Sequence, residues 1–284
     1  MTDASNPEIF DRSRRRLVRD RAFSAARGED FLSAMMADEL LERLSLVKRD
    51  FSNCLLIGGA SKTLRKQLEA KSIACVATDA SFRTAQSIGD VQCDEDRLPF
   101  ADHSFDLIIN IGTLDTVNDL PGALVLSRRI LKPDGLFLAA FIGAESLTAL
   151  KAILMESEGD RIAPHVHPQI DIRTMGDLMS RSGLQLPVVD SDSLELRYGS
   201  IEKLIEDIRN FGGSNVLKQQ THNIQRTTYL RAKQGFDDRL EADGKVTEKI
   251  EIIYLCGWAP HPDQPKPATR GSGKMSLKAA LNQK

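Results

Sequence analysis

Missing from this 284-residue sequence are a long apolar run, a paired cysteine motif, an internal repeat and a dominant sign of charge. The four cysteines, Cys54, Cys75, Cys93 and Cys256, lie far apart, each within or beside an apolar run, with no C-x-x-C pair among them. That usage reads as buried free thiols behaving as small hydrophobes, which suits a reducing compartment. The N-terminus shows no apolar core for secretion, and Asp3, Glu8 and Asp11 argue against an acid-poor organelle transit peptide. The expected location is the cytoplasm, without a membrane span. A net charge of -2, with 27% charged and 41% apolar residues, argues against disorder and against strong attraction to polyanions, so no nucleic-acid partner is expected.

What is present is a folding pattern. The length suffices to bury a full core in one large domain with an elaboration. After residue 53, short apolar runs alternate with amphipathic stretches, the signature of βαβ units and a parallel α/β sheet. Strands are predicted at 54–57, 73–78 (ending at Asp79), 91–93, 105–111 and 136–141, with helices at 62–71 and 120–131. Their Ile- and Leu-rich runs lack alternation, as expected of strands covered on both faces. Beyond Gly143 the pattern turns helical at 146–157, 174–182 and 200–211, with a strand-like piece at 186–196 and a polar helical stretch reaching Asp243. A last strand at 249–256 is expected to add antiparallel at the sheet's edge. The division that follows is an N-terminal helical segment over 1–52, a main domain over 53–258 with a helical insertion around 198–247, and an extended basic tail over 259–284.

In an open parallel sheet, ligands bind beyond the carboxyl ends of the strands, where the strand order switches. Gly58-Gly59 follows the first strand, allowing close backbone approach and a helix start whose amides face a ligand; a plain tight turn is the alternative. Asp79, after the second strand, is placed to accept hydrogen bonds from both hydroxyls of a ribose, or else to cap a helix. Asp94, after the third, can accept from an adenine amino group with Leu98 or Phe100 packed nearby, although Glu95 and Asp96 make a plain acidic loop the rival reading.

The succession Asp79, Asp94, Leu98-Pro99-Phe100, Phe105-Asp106-Leu107-Ile108-Ile109 and Leu131-Lys132-Pro133-Asp134-Gly135 resembles the class I methyltransferases of the type 11 group over about residues 53 to 142. The whole chain is similar to the mitochondrial complex I assembly factor 5 group and its bacterial relatives. That wider likeness rests on Phe10-Asp11-Arg12 and the arginine-rich helix after it, Val117-Asn118-Asp119-Leu120-Pro121, Pro164-His165, Tyr198, Leu204-Ile205-Glu206-Asp207, Ile252-Ile253-Tyr254, Gly257-Trp258 and Arg270-Gly271-Ser272. The resemblance implies a Rossmann-like seven-stranded methyltransferase sheet with helical additions, and S-adenosyl-L-methionine as cofactor. It implies Gly58, Gly59, Asp79, Asp94 and Asn110 as cofactor-binding residues. It also implies a protein substrate in respiratory complex I, where arginine hydroxylation of a subunit is the attributed chemistry. A more distant resemblance is to the malonyl carrier-protein methyltransferase of biotin synthesis.

Two departures stand out. The group's first loop reads acidic-x-Gly-x-Gly-x-Gly, but Leu56 holds the acidic position here, and Ala60 and Lys62 replace the later glycines. A charged hydrogen bond of the kind lost with that carboxylate is worth about 1.5–3 kcal/mol. After the fourth strand, where the group often has His-Trp, this chain has Asp115-Thr116, so no aromatic wall offers cation–π attraction to a sulfonium. Asp115 is the one catalytic candidate; it can hold the cofactor's ammonium group or a substrate guanidinium, or be an ordinary solvated or capping residue. His165-x-His167 with Asp171 could form an iron-type ligand set, but closely spaced histidines in such a loop usually mean only a polar loop, and no metal is expected. The seven arginines between Arg12 and Arg27 are expected on a helix packed through Leu17, Val18 and Phe23, with the guanidiniums solvated or near the active-site mouth. The expected function is that of an S-adenosylmethionine-dependent enzyme modifying a protein substrate. The alternatives are a binding module or assembly chaperone that has lost turnover, and a carrier-protein O-methyltransferase of biotin synthesis.

Overall fold

The computed structural model describes residues 8–25, 30–58, 62–87, 89–159, 164–219 and 224–264. Two helices lead, α1 (Arg12–Ala25) and α2 (Phe31–Ser45), the second capped by Asp30, which accepts from the Ser33 amide. Then come β1 (Asn53–Ile57), α3 (Lys62–Ala70), β2 (Ala74–Asp79), α4 (Phe82–Ser87), β3 (Val91–Gln92), β4 (Phe105–Ile111), α5 (Leu120–Ile130) and β5 (Leu131–Ile142). The chain continues through α6 (Thr148–Glu158), α7 (Ile172–Arg181), β6 (Gln185–Tyr198), α8 (Ile201–Phe211), α9 (Arg226–Asp237) and β7 (Val246–Trp258). The strand order is β3-β2-β1-β4-β5-β7-β6, parallel from β3 through β5, with β7 antiparallel to both of its neighbours.

Alternate residues of each central strand feed opposite faces of the sheet. Cys54 and Leu56 of β1, Leu107 and Ile109 of β4, and Leu136 and Leu138 of β5 pack beneath α2, α3, α6 and α8. Leu55, Ile57, Ile108, Phe137 and Phe141 pack on the other side against α5 and α7. Double coverage explains why the central strands read as unbroken apolar runs. Cys54 and Cys75 are buried within it, and burial pushes Cys93 up to about 12. No described helix is long and apolar enough to cross a membrane.

The last strand departs from its expected place. β7 does not take the edge but inserts between β5 and β6, pairing Leu136 with Trp258 and Ile252 with both Ile142 and Asp192. Its Ile252, Ile253 and Leu255 are almost fully buried, and an edge position could not cover such a run on both sides. The edge falls instead to β6, where Leu186 and Val188 are exposed. Most of the predicted basic tail, from residue 265 onward, lies outside the described residues.

Candidate functional site

The order of strands reverses between β1 and β4, so the crevice beyond their carboxyl ends is where a ligand belongs. Gly58 closes β1 with φ +65°, donating its amide to the Thr78 carbonyl at 2.9 Å. A Cβ there would collide with Thr113 Cγ2 and stand 2.6 Å from the Ile111 carbonyl oxygen, so only glycine fits. Gly59 and Ala60 lie outside the described residues, as does the side chain of Lys62. Leu56, at the expected acidic position, is buried in the apolar cluster under α2 and α3, where an ionised carboxylate would be left unsolvated.

Asp79 ends β2, 2% exposed, and Asp94 follows β3, 3% exposed. Asn110, next to last in β4, is buried beside Ile57 of β1 and accepts from Thr113 Oγ1 at 2.9 Å. These residues and Gly58 thus gather at one edge of the sheet. One oxygen of Asp94, Oδ1, has no hydrogen-bond partner although it is buried.

What the sequence did not announce is the layer above them. Arg12, Arg15, Arg16 and Arg19 recur at i, i+3, i+4 and i+7, which places all four on one face of α1. That face is turned inward. Arg19 forks onto Asp79, Nε to Oδ1 at 2.9 Å and Nη2 to Oδ2 at 2.6 Å, and its Nη1 donates to the Gly112 carbonyl at 3.1 Å. Arg16 Nη2 donates to Asp94 Oδ2 at 2.7 Å, Arg15 forks onto Glu95 at 2.8 and 3.0 Å, and Arg12 forks onto Asp96 at 2.7 and 2.6 Å. The helix anchors through Val18 and Ala22, with Leu17 exposed and Phe23 only partly covered. The arginines are therefore ion-paired at the mouth, not solvated, because four carboxylates there would otherwise be desolvated without counter-charge.

The two ends of α1 are fixed separately. Asn118, after β4, accepts from the Phe10 amide at 2.8 Å and donates to its carbonyl at 3.0 Å, while the Asp11 amide donates to the Val216 carbonyl. At the other end, Asp20 Oδ1 accepts from Ser81 Oγ and from the Arg83 amide at the start of α4.

Burial opposes ionisation of Asp79, but the Arg19 charge, its two hydrogen bonds and the Ser81 amide outweigh burial and hold the carboxyl below its usual range. Asp96 is lowered in the same way, its burial overcome by the Arg12 fork. Carboxylates depressed on folding stabilise fully above their unfolded value of about 3.9 and lose that contribution as pH falls through it toward the folded value. Residues 12–25 are therefore expected to lose hydrogen-exchange protection, corrected for intrinsic rates, progressively as pH falls below about 4 and to hold it from about 5 to 8. Exchange mass spectrometry across that range checks this; protection unchanged to pH 2 would contradict it.

Asp115 lies in the short 3-10 turn Leu114–Thr116 after β4, its side chain 7% exposed. It is neither solvated nor a cap: Oδ2 stands 3.6 Å from Nε2 of His167, which is 2% exposed and has no hydrogen-bond partner on either ring nitrogen. His165 turns instead to Glu158 at 2.6 Å, and Asp171 caps α7 through the Thr174 amide and hydroxyl. The three residues of the iron-type reading are thus dispersed, and among the described residues no group of three or more His, Cys, Asp or Glu side chains could hold a metal.

A doubly covered seven-stranded sheet, a positive-φ glycine after β1 and acidic residues after β2 and β3 define a methyltransferase-type cofactor fold. The family model described as "Methyltransferase domain" matches residues 55–139. Arginine-hydroxylase NDUFAF5 of Danio rerio is 32% identical over 95% of this chain and 88% of its own length. A malonyl-[acyl-carrier protein] O-methyltransferase of Coxiella burnetii is 27% identical over 77% and 78%. A phosphoethanolamine N-methyltransferase of Haemonchus contortus, 14% identical, shares the fold with a TM-score of 0.51 over 87% of this chain and 61% of that one. The chain belongs to the class I S-adenosylmethionine-dependent methyltransferases, in the family that includes the arginine-hydroxylase NDUFAF5 proteins. S-adenosyl-L-methionine is the cofactor of that class, and the residues fit it: a glycine that only glycine can replace, two buried carboxylates at adjacent strand ends, and an unspent acceptor on Asp94.

Proposed function

We propose that this protein is a modifying enzyme that acts on a protein subunit during assembly of respiratory complex I, using S-adenosylmethionine at the β1/β4 crevice. Gly58 would admit the ligand against the backbone, Asp79 would hold the ribose hydroxyls, Asp94 the adenine amino group, and Asn110 would line the floor. Bound there, the cofactor supplies an electrophilic methyl group on a sulfonium. The observation that carries the reading is the gathering of these residues at the switch point, in a chain similar to arginine-hydroxylase NDUFAF5 over 95% of its length. Beyond β4, Asp115 and His167 face each other with both side chains buried.

Calorimetric titration with S-adenosylhomocysteine tests the cofactor half. Binding is expected, and Asp79→Ala should weaken it about tenfold to a hundredfold, the worth of a charged hydrogen bond or two. Affinity unchanged in the variant would remove Asp79 from the site. Copurification with complex I subunits tests the other half, and normal complex I in a deletion strain would overturn it.

A second reading has its own observation. Leu56 is sealed in the core and Asp79 is already paired, which favours a binding or assembly role without turnover. Absence of heat or thermal shift at millimolar ligand would decide for that reading. Rescue of a biotin auxotroph would decide for the carrier-protein methyltransferase.

A further inference from the structure

We propose that α1 is an arginine latch, an internal occupant of the cofactor crevice that must be expelled before the cofactor can enter. The inference rests on the proposed assignment of Gly58, Asp79 and Asp94 to that crevice. Its basis is what Arg19 does in space. The guanidinium reaches from Asp79 at the end of β2 to the Gly112 carbonyl beyond β4, and Nη2 passes 3.2 Å from where a Cβ on Gly58 would stand. With Thr113 Cγ2 and the Ile111 carbonyl, which stand nearer still, it walls the space beside Gly58. Both Asp79 oxygens are taken: Oδ1 accepts from Arg19 Nε and the Ser81 amide, and Oδ2 accepts from Arg19 Nη2. A pair of ribose hydroxyls needs the same acceptors from the same side.

The latch is built to open. Arg16 is 43% exposed at its side chain, and its Nε is left without a hydrogen-bond partner, as is Asp94 Oδ1 a short distance away. Arg16 holds Asp94 by one good hydrogen bond, with Arg12 Nη1 at 3.3 Å and Arg15 Nη1 at 3.9 Å beside it, so releasing Arg16 leaves the carboxylate with counter-charge. Arg15 differs, being buried and forked onto Glu95. It can stay in place as the hinge side while Arg16 and Arg19 swing away, a movement that also releases Asp20 from Ser81 Oγ and the Arg83 amide. Four guanidiniums lie against four carboxylates, so α1 neutralises the acidic strand ends from within the chain.

The test compares S-adenosylhomocysteine binding to the full chain with binding to Arg19→Met, which keeps the apolar stem and removes the fork. The variant is expected to bind at least tenfold more tightly. In the unaltered protein, saturating S-adenosylhomocysteine should speed tryptic cleavage at Arg16 and Arg19, since expulsion exposes α1; this readout does not require the variant to fold. Weaker binding by Arg19→Met, or slower cleavage with ligand bound, would show that Arg19 is a ligand-holding residue and overturn the latch. Binding by neither protein would overturn the cofactor assignment along with it, whereas equal binding by both leaves that assignment standing and removes only the latch.

Discussion

Arg15→Met is expected to destabilise the protein by about 3–5 kcal/mol, the cost of stranding one partner of a buried ion pair. Arg15 is 4% exposed, and its guanidinium makes four hydrogen bonds: two to Glu95, one to Thr116 Oγ1 at 3.0 Å and one to the Thr113 carbonyl at 3.1 Å. Methionine fills much of the stem's volume, so the loss falls on charge and hydrogen bonding more than on packing. Glu95, itself 3% exposed, would be left as an uncompensated buried carboxylate. Arg16→Met, two-fifths exposed and singly bonded, should cost under about 1 kcal/mol. Urea unfolding of the two variants measures the contrast. Equal small effects would mean that the Glu95 pair is not closed to water in solution.

Gly58→Ala should be as damaging and for a different reason. A left-handed backbone costs a non-glycine residue about 1–2 kcal/mol. The new methyl would also press on Thr113 Cγ2 and on the Ile111 carbonyl, which is backbone of the central strand and cannot rotate away. Overpacking of that kind adds about 1–3 kcal/mol. The expected sum is a loss of about 2–5 kcal/mol in unfolding free energy, with S-adenosylhomocysteine binding lost at millimolar ligand. Near-normal stability and affinity in the variant would contradict the close approach of β1 and β4 at this point.

The parallel core was legible because its strands are buried on both faces and so are rich in apolar residues without alternation, as in Phe105–Ile111, every residue of which is buried and only Asp106 and Asn110 polar. The same reading located the candidate residues Gly58, Asp79 and Asp94, since the end of a strand locates the crevice. The place of β7 was not, because apolar content shows that a strand is buried and not which neighbours it hydrogen-bonds. The arginines were read as solvated or near the active-site mouth, and what escaped was their pairing, although the spacing of Arg12, Arg15, Arg16 and Arg19 marks a single stripe and Asp94-Glu95-Asp96 offers its complement. The approach of His167 to Asp115 is set by tertiary folding alone and leaves no local signal.

The long outer strand β6 carries a final consequence. Fourteen residues offer backbone donors and acceptors on one side to whatever strand comes near, an invitation to self-association that proteins must manage. Here a register break between Gln185 and Val188 disturbs the rim where the apolar side chains lie, and Asp190, Asp192 and Glu195 follow along the rest. Two copies meeting rim to rim, head to tail, would bring like charges together, which penalises the pairing. The strand thereby keeps its extended length while discouraging the growth of the sheet from one molecule into the next.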